Sequence, residues 1–201
     1  MDAVNRKTFD ALMTTAGVVV AAVLVAAGCL LLWGHQFANS NVRSQLVAQQ
    51  IQFPAKGTAE LADPKVGPYL NQYAGKQLAN GAQAKAYADH FIAVHLQKLG
   101  GGQTYAQLSK TANAQPKNTE LANQVNTIFK GETLRGMLLN AYAFWQMGQI
   151  ALYAAIAAFV GAALMLALAG LGFLHLRRVG PAAELLPKLS SAQPTVAADA
   201  S

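Results

Sequence analysis

Two stretches of this chain carry no charge for longer than a bilayer is thick. From Ala11 to Trp33 there is no Asp, Glu, Lys or Arg, and a second such run extends from Gly136 to Leu176. As a helix rising 1.5 Å per residue, the first run is about 34 Å long, enough for a hydrocarbon core of about 30 Å. The second is roughly twice what a bilayer needs, so its most apolar part, Ile150 to Phe173, is expected in lipid and its beginning in water or among headgroups. Backbone groups in lipid must find partners within their own segment, which makes both stretches helices. Composition agrees, with 53% hydrophobic and only 12% charged residues, a balance skewed away from ordinary soluble proteins. The expected organisation is a cytoplasmic N-terminus over residues 1–10, transmembrane helices over 11–33 and 147–176, an extracytoplasmic helical domain over 34–146, and a cytoplasmic tail over 177–201.

The single cysteine, Cys29, follows "AAG" and so raises a lipoprotein cleavage site or a signal peptide as alternatives. Leu30, Leu31, Leu32 and Trp33 continue the apolar run past it, whereas the apolar region of a signal peptide is only about 7–15 residues long and leads out of the bilayer. The run length favours an uncleaved anchor, with Cys29 as a small buried apolar residue. One cysteine also permits no intrachain disulfide.

Orientation follows from short flanks. Arg6 and Lys7 precede the first span and Arg177 and Arg178 follow the second, which places both termini on the cytoplasmic side and Gly34 to Ala143 outside the plasma membrane. Trp33 and the group Tyr142, Phe144 and Trp145 then fall at the outer interface, where amphipathic rings prefer the headgroup zone. Packing of these aromatics in the base of the outer domain is compatible with the same topology.

Between the spans, apolar residues recur at helical rather than alternating spacing, so the expected fold class is all-α. Asn39, Ser40 and Asn41 are possible starts of a juxtamembrane helix carrying Val42, Leu46, Val47 and Ile51, which Phe53-Pro54 ends. Residues 56–70 hold glycine and two prolines and read as irregular, with a helix resuming near Tyr69 and stopping by Gly81. "GAQAKAYADHFIAVHLQKLGGG", residues 81–102, predicts an amphipathic helix. On an α-helical wheel Ala84, Ala88, Phe91, Ile92, His95 and Leu99 share an apolar arc, opposite Gln83, Asp89, His90 and Gln97. A short turn over 104–110 and a polar linker over 111–119 follow. Asn118 or Thr119 then caps a helix with the stripe Leu121, Val125, Ile128 and Phe129, punctuated by Gly131 before the second membrane helix begins near Glu132 or Thr133. The Pro-, Ala- and Ser-rich stretch from Gly180 to Ser201 reads as disordered.

Signs of chemistry are few. His90 and His95, beside Asp89, are separated by five residues, about 140° on an α-helix, where metal-binding helices favour i and i+4. His95 is expected as a hydrogen-bonded core residue and His90 as a solvated one. Gly100–Gly102 lack a following Lys-Ser or Lys-Thr, and Gly75-Lys76 lacks the surrounding phosphate-loop pattern. No G-x-S-x-G occurs. The spans hold no acid, lysine or arginine, with His175 alone at the inner end, which argues against a proton or ion pathway within one chain. Small residues recur four apart at Gly17/Ala21, Ala22/Ala26 and Ala157/Gly161, a spacing that permits close helix approach to a partner protein, to a second copy or within the chain. The fifteen Lys and Arg residues give a net charge of +6, but they are scattered without interleaved aromatics, so no nucleic-acid partner is expected. No metal or other cofactor site is expected either.

The stretches "VRSQLVAQQIQFP", "GAQAKAYADHFIAVHL" and "GETLRGMLLNAYAFW" resemble a group of uncharacterised two-span membrane proteins of high-GC Gram-positive bacteria, over the outer segment and the second span. Some of that group carry the label aromatic ring-opening dioxygenase, which implies an iron site, and the histidines and acids of this chain form no such ligand set. The resemblance implies topology and compartment, without an activity. The resulting expectation is a non-catalytic integral membrane protein whose outer helical domain contacts another membrane or envelope protein or a second copy. The alternative is an extracytoplasmic sensor or binder of a small ligand, and an enzyme using His90 and Asp89 is a third, weaker reading.

Overall fold

The computed structural model describes residues 6–178 of the chain. It is all-helical, with two long apolar helices, α1 (Arg6–Ala48) and α7 (Thr119–Arg178), flanking a small helical middle region. That region holds α2 (Ala59–Ala62), α3 (Gly67–Leu70) running into a 3-10 turn (Asn71–Tyr73), α4 (Gly81–Ala86), a π-helical segment (Tyr87–Ile92), α5 (Ala93–Leu99) and α6 (Tyr105–Ala114). Residues 1–5 of the N-terminal flank and the tail expected from Gly180 onward lie outside the described residues. The chain forms two compact units, one of residues 29–156 and one of residues 6–28 with 157–178.

In the second of these units α1 and α7 run antiparallel and touch through small residues. Ala21, Ala162 and Ala169 are buried, and a Cβ added to Gly28 would stand 2.9 Å from the Phe159 ring. The large residues point the other way: Leu12, Val19, Val23, Leu164, Leu168 and Leu171 are each more than half exposed. A soluble protein does not show water so large a continuous apolar surface. Both helices are long and apolar enough to cross a membrane, and their most apolar windows are left mostly bare. This suggests a membrane protein.

The 29–156 unit has a conventional core. Val42 and Leu46 of α1, Phe53, Leu61, Val66, Leu70 and Leu78 of the middle region, Ala84, Ala88, Ile92, Val94 and Leu96 from α4 to α5, Leu108 of α6, and Ile128 and Leu138 of α7 are buried together. α1 does not restart at Asn39–Asn41 as the cap-forming residues suggested. Ser40 Oγ donates to the Phe37 carbonyl and Asn41 Oδ1 accepts from Gln45 Nε2, so these side chains are used within a continuing helix. The helix ends when Gln50 turns left-handed at φ 53°, and Gln77 Nε2 donates to the exposed Val47 carbonyl. The chain then pairs briefly with itself, Phe53 N–H donating to Lys76 O and Leu78 N–H to Ile51 O, both at 2.9 Å.

Further expectations give way to tertiary structure. The helix near Tyr69 is only α3 and one 3-10 turn, and residues 74–80 are non-helical. Residues 81–99 are helical, but the π segment adds a residue to a turn and shifts the buried row. Positions 84, 88, 92 and 96 stay on one side, so Val94 and Leu96 are buried while His95 and Leu99 are exposed, against the α-helical wheel. Gln83, expected on the polar arc, is buried because its Oε1 accepts from Ala79 N–H while its own N–H donates to the capping Asn80. Gly131 does not interrupt α7: Leu96 occupies the space a side chain there would need. The cap at Asn118 is as expected, its Oδ1 accepting from Leu121 N–H at 3.0 Å, and α6 extends through Ala114 into the stretch expected as linker.

Candidate functional site

The residues with the most chemical potential are committed to structure. His90 lies flat on the Tyr69 ring, 3.5 Å between centroids. His95 Nδ1 pairs with the Phe91 carbonyl at 2.8 Å and is exposed rather than in the core. Asp89 is held by Lys85 Nζ at 2.6 Å and faces the Arg135 guanidinium at 3.6 Å. The π segment narrows the angle between residues 90 and 95 relative to an α-helix, since its hydrogen bonds span five residues. Even so, among the described residues no three His, Cys, Asp or Glu side chains gather as metal ligands would.

The electrostatics of this region are those of surface ion pairs. The Asp89 carboxylate raises the Lys85 pKa through its hydrogen bond. Lys98, bonded to Asp63 at 2.5 Å, and the Lys65 backbone N–H hold the Asp63 carboxyl below its ordinary value. Burial raises the Tyr87 hydroxyl.

The interface aromatics divide between two environments. Trp33 and Phe144 are exposed, Trp33 stacking on Phe37 at 5.7 Å. Trp145 is half-buried against the core, its ring filling the space beside Gly81, and Tyr142 is half-buried with Lys85 Nζ 5.3 Å from its ring centre. At the other end of α7, Arg177 lies over Phe173 at 4.6 Å, and both Arg177 and Arg178 are exposed. Of the small residues, Gly17 faces Ala169, Ala21 is buried and Gly161 meets Leu24, so these pack within the chain. Ala22, Ala26 and Ala157 are exposed, as is Cys29, which is therefore not a core residue.

Two features of the packing lie outside the expected set. Asp10 pairs with His175 at 3.8 Å, a relation set by the fold of two distant segments. The buried small residues Gly148, Ala155, Ala162 and Ala169 of α7 are seven apart. That heptad is visible in the sequence, but a search for four-residue pairs passes over it.

Two grooves border α1 and α7 within the 29–156 unit. One, of about 530 Å³, is walled by Phe37, Val42, Leu46, Leu134, Met137 and Phe144 and rimmed by the neutral amides Asn41, Gln45, Gln49 and Asn140. Over the buried Val42 and Leu46, its outer side chains are open: Met137 is 65% and Phe144 51% exposed. The other, of about 650 Å³, is of mixed polarity and includes His35, Arg43, Trp145 and Leu152. No protein-family model, curated protein or solved structure matches this chain.

Proposed function

We propose that this chain is a non-catalytic two-span protein of the plasma membrane that acts as an interaction or accessory subunit of a membrane or envelope complex. In this reading both termini are cytoplasmic and the 29–156 unit lies largely outside. The basic flanks Arg6, Lys7, Arg177 and Arg178 support the orientation, and the likeness to two-span proteins of high-GC Gram-positive bacteria supports the same topology. α1 and α7, at about 65 and 90 Å by their 43 and 60 residues, exceed the thickness of the bilayer.

The observation that carries the interaction role is the open apolar groove. Phe37, Met137 and Phe144 stand uncovered beside a core that the middle helices cover elsewhere, and the groove's rim offers amides without any charge to repel a helix of either sign. Exposed apolar surface rimmed by polar groups is the usual form of a protein contact. The partner is another membrane or envelope protein or a second copy of the chain. Extraction in mild detergent tests this. A stoichiometric partner or dimer is expected with the native chain and its loss with Met137→Glu plus Phe144→Glu. A partner-free monomer from native membranes overturns the proposal.

A further inference from the structure

We propose that the cavity holding Asp10 and His175 binds a lipid alcohol, a molecule with one neutral hydroxyl and a long hydrocarbon body. The inference rests on the membrane reading above and goes beyond it by assigning a site and a ligand class. The cavity, of about 410 Å³, lies wholly within the unit of residues 6–28 with 157–178. Its lining carries Asp10, Thr14 and His175 and is otherwise apolar, including Met13, Met165 and Leu168. Asp10 immediately precedes the first uncharged run and His175 is the next-to-last residue of the second, so the two mark one end of the helix pair.

The carboxylate lacks a donor. Asp10 is the only acid among residues 6–28 and 157–178, and its Oδ2 is buried without a hydrogen-bond partner, a costly arrangement for an acceptor. Thr14 does not serve it, because its Oγ1 donates to the Asp10 backbone carbonyl at 2.8 Å. His175 Nε2 stands 3.8 Å from Oδ2, too far for a hydrogen bond. Two hydrogen bonds of about 2.8 Å meeting at one oxygen at roughly a right angle span about 4 Å, so a single hydroxyl fits between the two groups. A hydroxyl both donates and accepts. It gives its proton to the carboxylate and takes the Nε2–H of that tautomer of His175.

Size and charge select the rest of the ligand. One water satisfies the carboxylate but takes only about 30 Å³, which leaves most of the cavity to something apolar. A volume of about 410 Å³ falls within the range of small-molecule sites, roughly 300–1,000 Å³, and the flexible Met13 and Met165 adapt to a hydrocarbon body. The head is neutral on electrostatic grounds. An anionic head would meet the Asp10 carboxylate, and an ammonium would meet the excess of cations, Arg6, Lys7, Arg177 and Arg178, that flank the two residues in sequence.

The full chain in bilayer discs is photolabelled with hexadecanol carrying a diazirine on its chain, and with the amine and the carboxylic acid of the same chain. Saturable labelling of the peptides containing Met13 or Met165 is expected with the alcohol, competed by plain hexadecanol. At least about tenfold less is expected with either charged analogue, and with Asp10→Leu, as loss of a hydrogen bond to a charged group implies. Met13→Trp, at an exposed position, fills the cavity and is expected to abolish labelling of the Met165 peptide. Leu164→Trp, exposed on α7 and outside the cavity, is expected to label as the native chain does. Equal labelling by the three head groups, or labelling that does not saturate, shows that bulk lipid fills the cavity and overturns the proposal. So does unchanged labelling of Asp10→Leu or Met13→Trp. Absence of labelling by the alcohol leaves water alone at the carboxylate and overturns it as well. Failure of the chain to enter discs at all is a separate result, which refutes the membrane reading on which the site rests. Thermal unfolding of each variant establishes that the substitutions leave the fold intact.

Discussion

Trp145 of α7 fills the space that any side chain on Gly81, the first residue of α4, would occupy. A Cβ at position 81 would overlap the tryptophan's Cβ and ring, so the start of α4 lies directly against α7 only because residue 81 has none. This contact joins the middle helices to a long helix, and the core of Ala84, Ala88 and Leu138 assembles around it.

Gly81→Ala is therefore expected to destabilise the 29–156 unit by about 1–3 kcal/mol, the usual cost of overpacking where backbone and ring must both move. The loss of near-ultraviolet tryptophan dichroism and a lower midpoint in thermal unfolding of the detergent-solubilised chain check it. An unchanged midpoint would show that α4 yields freely.

The π segment makes a prediction about register. Leu96→Ala removes a buried side chain seated in the space at Gly131 and is expected to cost about 2–5 kcal/mol. Leu99→Ala and His95→Ala, both exposed, are expected within about 0.5 kcal/mol of the native chain. An uninterrupted α-helix would reverse the order of Leu96 and Leu99, so denaturant midpoints of the variants discriminate the two registers.

Acid weakens the tether between the α2–α3 connection and α5. The Asp63 carboxyl is held below its ordinary value chiefly by the hydrogen bond from Lys98. A carboxyl with a lowered folded pKa contributes stability that is present above its unfolded value, about 3.9, and is lost as pH falls through the folded one. The thermal midpoint is expected to drop below about pH 4, and Lys98→Gln is expected to flatten that drop. Equal acid sensitivity of native and variant chains would remove Asp63 from the account.

Topology is accessible to a membrane-impermeant maleimide. In a Cys29→Ser background, Lys98→Cys is expected to label in intact cells and Arg178→Cys only after the membrane is opened. The opposite pattern would invert the proposed orientation.

The all-α class and the two long apolar helices were legible because they depend on local terms: hydropathy over a run longer than a bilayer, helical spacing of apolar residues, and the need to satisfy backbone groups within a segment. Caps were legible where a single side chain completes them, as at Asn118. What the sequence alone left open was how far each helix runs and which face it buries. Asn39–Asn41 and Gly131 look like helix boundaries by propensity, yet α1 and α7 continue through both, since packing outweighs a few tenths of a kcal/mol of local preference.

Likewise, one extra residue in the turn over Tyr87–Ile92 moved His95 and Leu99 into solvent and Leu96 into the core. Both grooves are products of tertiary structure too, because each is made by residues about a hundred positions apart that no periodicity relates. Hydrophobicity and hydrogen-bonding propensity act along the chain and determined that these helices form. Steric fit acts between distant segments, and it alone decided where they stop and what they leave uncovered.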